Sequence, residues 1–299
     1  MGGGCCPKQK VTLRNRCYFS PLPNVVVAMP DTRRIVGPET SQSPYNLCSS
    51  FRASSLKLLN EGRRADGRNE SQHRPVYMRA GLITQAQGSA YVELNRTKVI
   101  CAVYGPREVA RREDVQMQGQ VTCEFKFAPF SCHVRRQPVQ DSQEKDLSTQ
   151  LLEAIRPAIC LDKFPKLQVD VYVTVLENDG SALAAAITCA SIAVASAGID
   201  MYDLVIGSSA KILGERIFVD PTNSEENTCM DDDPARVGGQ LTIGLLPSLN
   251  QVSELTFQGD IGFNVLSQAV QICQDTCHKL YPVVQQTLEK IVKDKHKNI

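Results

Sequence analysis

Arginine side chains are the residues of this sequence best suited to hold an anion. They form two groups, one after each of two predicted neighbouring strands: Arg107, Arg111 and Arg112, and then Arg135 and Arg136. Guanidinium groups donate paired hydrogen bonds to phosphate oxygens, so two such loops that meet at one rim could bind a nucleic-acid backbone. Ordinary surface charge explains the same residues equally well.

Acidic residues form a second cluster of candidate functional side chains, at Glu225–Glu226 and Asp231–Asp233. Carboxylate oxygens are the ligands that Mg²⁺ prefers. Acidic runs are more often solvated loops, and we favour that interpretation here. Cys273 and Cys277 lie four residues apart beside a single histidine, which is too small a set for a structural zinc. The sequence therefore predicts no metal and no cofactor.

Several common catalytic designs have no counterpart in the sequence. The four histidines occur outside any known serine or cysteine nucleophile motif, which disfavours a Ser/His/Asp hydrolase. Neither a dinucleotide-binding glycine motif nor a P-loop is present.

Composition describes a globular chain without a bulk preference for polyanions. The chain has 299 residues, of which 42% are hydrophobic and 22% charged, a balance typical of folded proteins. Its 33 basic and 32 acidic side chains leave a net charge of +1. Any affinity for nucleic acid must therefore come from a local basic patch.

The twelve cysteines indicate a reducing compartment rather than a disulfide scaffold. No C-x-x-C occurs, and several cysteines stand singly inside apolar runs, where a free thiol behaves as a small buried hydrophobe.

The first residues of the chain resemble a lipidation signal. Gly2 could be myristoylated and Cys5 and Cys6 palmitoylated, but the sixth position carries cysteine where the myristoylation pattern has Ser or Thr. We favour the simpler interpretation, an extension over residues 1–28 that precedes a second methionine, Met29. Because no apolar run approaches the roughly 20 residues of a membrane span, we expect no membrane partner.

Hydrophobic periodicity predicts short strands and a few long helices, the pattern of a layered, mixed α/β fold with packed helices. The predicted strands are 74–80, 90–94, 98–104, 121–129, 167–176, 206–213, 216–219 and 240–246. The predicted helices are 147–159, the alanine-rich run 182–197, and 263–292, which contains Pro282 as a potential kink.

Several segments, in order and with matching gaps, resemble the RNase PH family. They are Arg64–Arg68 (RADGR), Arg74–Val76 (RPV), Gly88–Ala90 (GSA), Thr97–Ile100 (TKVI), Gly105–Arg107 (GPR), Ala197–Val205 (AGIDMYDLV) and Leu246–Gln251 (LPSLNQ). The resemblance covers residues 64–299 and implies an RNase PH-like fold. We expect a flexible arm over 1–63 and a domain over 64–299, with two similar halves near 74–200 and 201–299.

Within the family, the chain is most similar to ring subunits of the eukaryotic RNA exosome. That resemblance implies a six-membered ring with other RNase PH-like subunits, cap subunits above it, and single-stranded RNA in its channel. It also implies a role in rRNA processing and mRNA decay, in the nucleus, nucleolus and cytoplasm.

Active members of the family degrade RNA from its 3′ end with inorganic phosphate, and the resemblance places their site residues in this sequence. Ala182 and Leu183 stand where the family holds phosphate with Thr and Arg, and neither side chain donates a hydrogen bond. Lys145 occupies the place of a second arginine. Glu226 lies near the first family acid, and Gln240 falls at the second. We therefore expect a degenerate, non-catalytic site.

The alternative is an active phosphorolytic 3′-to-5′ exoribonuclease that uses Glu226 and Asp231–Asp233. Ala182 and Leu183 count against it, because phosphate would have lost its donors.

Overall fold

The described part of the chain contains two larger sheets, a short two-stranded ribbon, four α-helices, and two short 3₁₀ helices at Arg156–Ala158 and Leu161–Lys163. In a computed structural model, this part comprises residues 59–60, 63–64, 66–109, 117–227 and 238–297, within a unit that spans Ser41–Ile299. The strands are β1 (Leu59–Asn60), β2 (Arg63–Arg64), β3 (Val76–Ala80), β4 (Gly88–Leu94), β5 (Thr97–Glu108), β6 (Gln120–Phe127), β7 (Leu167–Glu177), β8 (Ile206–Leu213), β9 (Arg216–Val219), β10 (Gly238–Leu246) and β11 (Gln251–Gly259). The helices are α1 (Ser142–Ile155), α2 (Ala182–Ser196), α3 (Asn223–Glu226) and α4 (Phe263–Lys297).

The first large sheet has five strands in the order β3-β4-β5-β7-β6. Its neighbours are antiparallel except for β6 and β7, which run parallel. The second sheet has four antiparallel strands in the order β11-β10-β8-β9. These sheets and their helices confirm the predicted mixed α/β fold with packed helices.

Helix α2 packs against both large sheets and is buried over nearly its whole length. Its many alanines keep it thin, and glycines on the facing strands let the backbones approach closely. A Cβ atom at Gly88 of β4 would lie 2.2 Å from the Ala193 carbonyl oxygen, and one at Gly207 of β8 would lie 2.4 Å from that of Ala184. The alanine-rich run therefore forms an interior helix rather than a membrane span.

The other two long helices pack at different places: α4 covers the second sheet, and α1 contacts strands of both large sheets. Helix α4 packs Ala269 and Cys273 against the apolar side chains of β8 and β10. Helix α1 packs on β6 and β11, and Asp141 begins it with a capping box completed by Glu144. None of the helices in the described ranges has the length and apolar character of a transmembrane segment.

Most predicted elements are confirmed, with shifts of a few residues at their ends. The turn at Asn95–Arg96 joins β4 to β5, and β8 and β9 have their predicted bounds. Helix α4 continues through Pro282, where we expected a potential kink, and extends to Lys297. Strand β11, at one edge of the second sheet, was not predicted.

Candidate functional site

A cavity of about 350 Å³ opens where the start of α2 meets α1, α3, β10 and β11. Its described lining is mainly amide, hydroxyl and carboxyl groups. These polar residues are Gln143, Asp146, Gln150, Asn178, Ser181, Ser209, Glu226, Asn227, Gln240, Thr242, Thr256 and Gln258. Among the described lining residues there are two carboxylates and no lysine or arginine. The cavity is therefore polar but has no described positive side chain for an anion.

Four positions singled out from the sequence meet in this cavity. Ala182 and Leu183 line it at the first turn of α2, opposite Glu226 and Gln240. These residues are far apart in the sequence, and the fold brings them together because α2 begins beside α3 and β10. The juxtaposition agrees with the site positions implied by the family resemblance, while the roles of the residues stay a prediction.

Lys145 does not join this group, although the sequence placed it there. Its side chain is exposed on α1, and the residues of α1 that line the cavity are Gln143, Asp146, Leu147 and Gln150. Residues three and four apart share one helix face, so Lys145 points away from the side that holds Gln143 and Gln150. The place expected for a second cation is therefore filled by amide groups and a carboxylate.

Of the two carboxylates in the described lining, Glu226 is the one held by hydrogen bonds within the cavity. Its Oε1 accepts a hydrogen bond from the backbone N–H of Ser181 at 2.8 Å and another from Nε2 of Gln240 at 3.1 Å. Burial raises the pKa of Glu226, against the lowering effects of the Ser181 N–H and of the charges of Arg74 and Lys211. The ammonium of Lys211 donates to the main-chain oxygen of Glu226 at 3.1 Å.

The turn before α2 has an unusual backbone that aims the helix start at the cavity. Gly180 has φ +86° and Ser181 has φ +56°, a left-handed conformation that is uncommon outside glycine. The Ser181 hydroxyl donates to the carbonyl of Pro221 at 3.1 Å and accepts from Ser209 at 2.7 Å. Because these partners hold the hydroxyl in the protein interior, Ser181 presents its backbone N–H to the site.

A buried ion pair, Arg74 with Asp220, holds the backbone of the same turn. The Arg74 guanidinium donates to both carboxylate oxygens of Asp220, at 2.8 and 2.6 Å, and to the carbonyls of Asp179 and Gly180, at 2.9 and 3.1 Å. Burial alone would raise the pKa of Asp220, but its bonds to Arg74 and the charges of His73 and Arg74 hold it well below the ordinary value. Asp220 is thus a structural anion.

A second buried pair joins β2 to α3. Arg64 donates to both carboxylate oxygens of Glu225 and to the carbonyls of Val219 and Asp220. Sequence reasoning used Arg64 and Arg74 only as parts of a family signature and missed these roles. The sequence shows only that both arginines lie at the start of the segment that resembles the family, and this position does not indicate that they are buried.

The two arginine loops do not leave the sheet at one rim, so the expectation of adjacent strands was wrong. Strand β7 lies between β5 and β6, and β5 is antiparallel to β7 whereas β6 is parallel to it. Glu108 at the end of β5 pairs with Leu167, and Phe127 at the end of β6 pairs with Val175. Eight residues of strand separate these positions, roughly 26 Å.

The described arginines of these loops have different surroundings. Arg107 forms an ion pair with Asp170 on the neighbouring strand, and Arg135 is exposed. Arg136 stacks over the Phe127 ring at 4.2 Å and donates to Oε1 of Gln143 at 2.9 Å, beside the cavity. Arg111 and Arg112 lie outside the described residues.

The two other metal candidates of the sequence have different outcomes. Asp231–Asp233 lie outside the described residues. Cys273 and Cys277 are buried on α4 against the second sheet, where burial raises the pKa of the Cys273 thiol to about 12. A buried, protonated thiol is a packing residue rather than a metal ligand.

Comparisons with known proteins agree with this arrangement. The profile described as the 3′ exoribonuclease family, domain 1 (RNase_PH), matches residues 72–200. Human "Exosome complex component MTR3" is 39% identical over 274 residues, covering 86% of this chain and 94% of that protein. "Exosome complex component Rrp41" of Cenarchaeum symbiosum (strain A) is 33% identical over 239 residues, covering 79% of this chain and 95% of that protein.

The fold is also found in a solved structure. The crystal structure of rice (Oryza sativa) Rrp46 superposes with a TM-score of 0.64 at 23% sequence identity, covering 75% of this chain and 100% of that one. The structural similarity shows a shared fold. The sequence identities to the exosome components show that the chain belongs to the same family. The chain therefore belongs to the RNase PH family of 3′ exoribonucleases and exosome components.

Proposed function

We propose that this chain is a non-catalytic ring subunit of an RNA exosome. It would scaffold a ring with other RNase PH-like subunits and cap subunits, and line a channel for single-stranded RNA that is processed 3′ to 5′. Relatives named as exosome complex components support this, because they match the chain over most of their own length. Residues 64–299 would form the ring domain, in complexes of the nucleus, nucleolus and cytoplasm.

The chemistry of the cavity is the observation that carries the non-catalytic role. Phosphorolysis brings an inorganic phosphate against a phosphodiester, so its site needs cationic and hydroxyl donors for two anions. Here the described lining offers Asp146 and Glu226 as its charged groups, and apolar Ala182 and Leu183 at the start of α2. The described lining therefore provides no cationic side chain to neutralise two anionic reactants.

The size of the expected loss favours scaffolding over residual activity. Removal of one charge-stabilising donor from an active site costs about 10²–10³ in rate. In this chain, the two positions matched to phosphate-binding residues both lack a side-chain donor, and Gln143, Asp146 and Gln150 line the α1 side. Losses of this size at two positions leave too little rate for a useful enzyme.

Reconstitution with ring partners tests this proposal. We expect the full chain to assemble with other RNase PH-like subunits, and the chain itself to release no nucleoside diphosphates from single-stranded RNA with phosphate. Size-exclusion chromatography measures assembly, and chromatography of labelled products measures phosphorolysis.

Glu226→Gln provides the control, because it removes the buried carboxylate while it keeps the side-chain shape. Phosphate-dependent diphosphate release that this substitution abolishes would contradict the non-catalytic role. A chain that stays monomeric beside all ring partners would contradict ring membership.

The arginine groups remain candidate RNA contacts, now at two separate places. Phosphate contacts suit a channel that accepts any sequence. In the assembled ring, we expect Arg111→Ala with Arg112→Ala, and Arg135→Ala with Arg136→Ala, each to lower the salt slope of single-strand binding by about 1.4, since each lost contact removes about 0.7.

Because the two loops leave opposite ends of the sheet, the quadruple variant should lower the slope by the sum of both effects. Fluorescence anisotropy at several salt concentrations measures this. If the quadruple variant lowers the salt slope no more than one double variant does, the two loops share one phosphate site, which would contradict their placement at opposite ends of the sheet. Unchanged slopes in both pairs would show that neither loop contacts RNA.

A further inference from the structure

We propose that the outer edge of β11 pairs with a strand of a neighbouring ring subunit, and that this strand presents a lysine or arginine to Glu254. The inference rests on the proposed ring membership and deepens it, because it assigns one edge of the chain to a partner of stated chemistry. Strand β11 is nine residues long and lies at the end of the second sheet. Among the described strands, only β10 pairs with it.

The free edge of β11 is an open template for another strand. An edge strand leaves a row of backbone N–H and C=O groups unpaired, and proteins commonly protect such an edge with lysine or proline. Strand β11 contains neither residue. It instead carries Val252 and Leu255, which are 40% and 46% exposed. A long edge strand with exposed apolar side chains is suited to receive a partner strand.

Two consecutive side chains of β11 have buried polar atoms without a partner. Oε2 of Glu254 and Oγ of Ser253 are buried and have no hydrogen-bond partner among the described residues. Both residues lie at a bulge of the β10–β11 pair, where Glu254 is opposite Gly244. Buried polar atoms of native proteins are nearly always hydrogen-bonded. Two unsatisfied atoms at a sheet edge therefore indicate a donor supplied by another molecule.

The charge around Glu254 indicates that this donor is a cation. Its Oε1 accepts from the Thr256 hydroxyl at 2.9 Å, and the described charge that acts on it is a second carboxylate, Glu153 of α1. Burial raises the pKa of Glu254 to about 7, against the lowering effect of the Thr256 hydroxyl, and the charge of Glu153 adds to the rise. A lysine or arginine at hydrogen-bond distance would stabilise this carboxylate, whereas RNA phosphates would be repelled.

The alternation of β11 predicts the pattern of the partner strand. Glu254 lies on the same face as Thr256, which lines the cavity beside α1. Leu255 lies on the opposite face and pairs with Ile243, whose side chain packs in the cluster beneath α4. Since cross-strand neighbours share a face, the added strand should place a basic residue beside Glu254 and an apolar residue beside Leu255.

Binding of the full chain to purified RNase PH-like ring subunits tests both contacts. Glu254→Gln keeps the shape of the side chain and removes its charge, and Leu255→Lys adds a charge that opposes edge pairing. We expect Glu254→Gln to weaken binding to one neighbour at least about 30-fold, because the loss of one member of a buried charge pair across an interface usually costs that much. Leu255→Lys should abolish the same binding. Biolayer interferometry measures binding, and circular dichroism measures the folding of each variant alone.

Glu289→Gln and Val292→Lys are the matched controls. Both residues are exposed on α4, where Glu289 lies 3.3 Å from Lys293 and Val292 is 53% exposed. These variants should bind every ring subunit like the unaltered chain. In the assembled ring, a benzophenone side chain in place of Leu255 should crosslink to a strand of the neighbouring subunit that contains lysine or arginine.

Unchanged binding in Glu254→Gln or Leu255→Lys would overturn the proposal, as would an equal loss of binding in the controls. A crosslink to RNA, to a second copy of this chain, or to a segment without a basic residue would also overturn it. Loss of folding in Glu254→Gln would assign the carboxylate to the chain's own structure and count against the proposal too. If Leu255→Lys does not fold, the crosslink decides the edge contact.

Failure of this inference is distinguishable from failure of the proposed function. A ring that forms equally well with Glu254→Gln and Leu255→Lys would contradict only the edge contact. An unaltered chain that binds none of the ring subunits would contradict ring membership itself.

Discussion

Replacing Arg74 with alanine is expected to destabilise the chain by about 3–5 kcal/mol, the usual cost of breaking a buried ion pair from one side. The guanidinium is almost fully buried and bonds to both oxygens of Asp220, which is buried as well. Without Arg74, the Asp220 carboxylate would remain in the interior without its main charged partner. The carbonyls of Asp179 and Gly180 would also lose their donor, so the turn that starts α2 would loosen.

Arg216 supplies a matched control for this substitution. Its guanidinium lies 3.8 Å from a carboxylate oxygen of Glu70, and its side chain is 61% exposed. Exposed pairs contribute about 0–1 kcal/mol, so Arg216→Ala should have little effect on the free energy of unfolding. Urea titration followed by circular dichroism measures both variants. Equal, small losses in Arg74→Ala and Arg216→Ala would show that the buried pair does not hold the fold together.

Local patterns predicted most elements because the apolar residues of each element record which of its faces are buried. The alternating strand 167–176 and the alanine-rich run 182–197 match β7 and α2 within a residue or two. Strand β11 was not predicted. It lies at a sheet edge, where Leu255 is 46% exposed, and such a strand needs few apolar residues, so its sequence carries only a weak pattern.

The order of strands in a sheet is a non-local property, and there the sequence-based expectation was wrong. Strands β5 and β6 are neighbours in the chain, yet β7 inserts between them after α1 has crossed the sheet. A parallel pair such as β6 and β7 needs a crossover helix, and nothing in the strand sequences indicates which edge it will join. The convergence of the arginine loops depended on that order.

The family resemblance placed five residues at the candidate site, and the structure brings four of them together. Ala182, Leu183, Glu226 and Gln240 meet in the cavity. Lys145 is offset by two residues from Gln143, which lines it. A difference of two positions turns a helical side chain by about 200°, so matching a segment to a family does not by itself fix which side chain faces a site.

Substituting alanine for Gly88 or Gly207 is expected to cost about 3 kcal/mol each, at the upper end of the usual penalty for overpacking. The new Cβ atom would meet backbone rather than a flexible side chain. At Gly88 it would lie 2.6 Å from both the nitrogen and the Cβ atom of Ala197, and at Gly207 it would lie 2.8 Å from the Cα atom of Ala184. Relief requires the helix or the strand to move.

Movement at Gly207 should reach the cavity, because its neighbour Ala184 lies in the first turn of α2 and lines it. Gly262 is the control, since a Cβ atom there would meet nothing within 4 Å. Thermal unfolding should therefore shift strongly in Gly88→Ala and Gly207→Ala and remain unchanged in Gly262→Ala. If all three variants melt like the unaltered chain, α2 is not held between the sheets by close backbone contact, and the hydrogen bonds of Arg74 and Ser181 at its start would have to position Ala182 and Leu183.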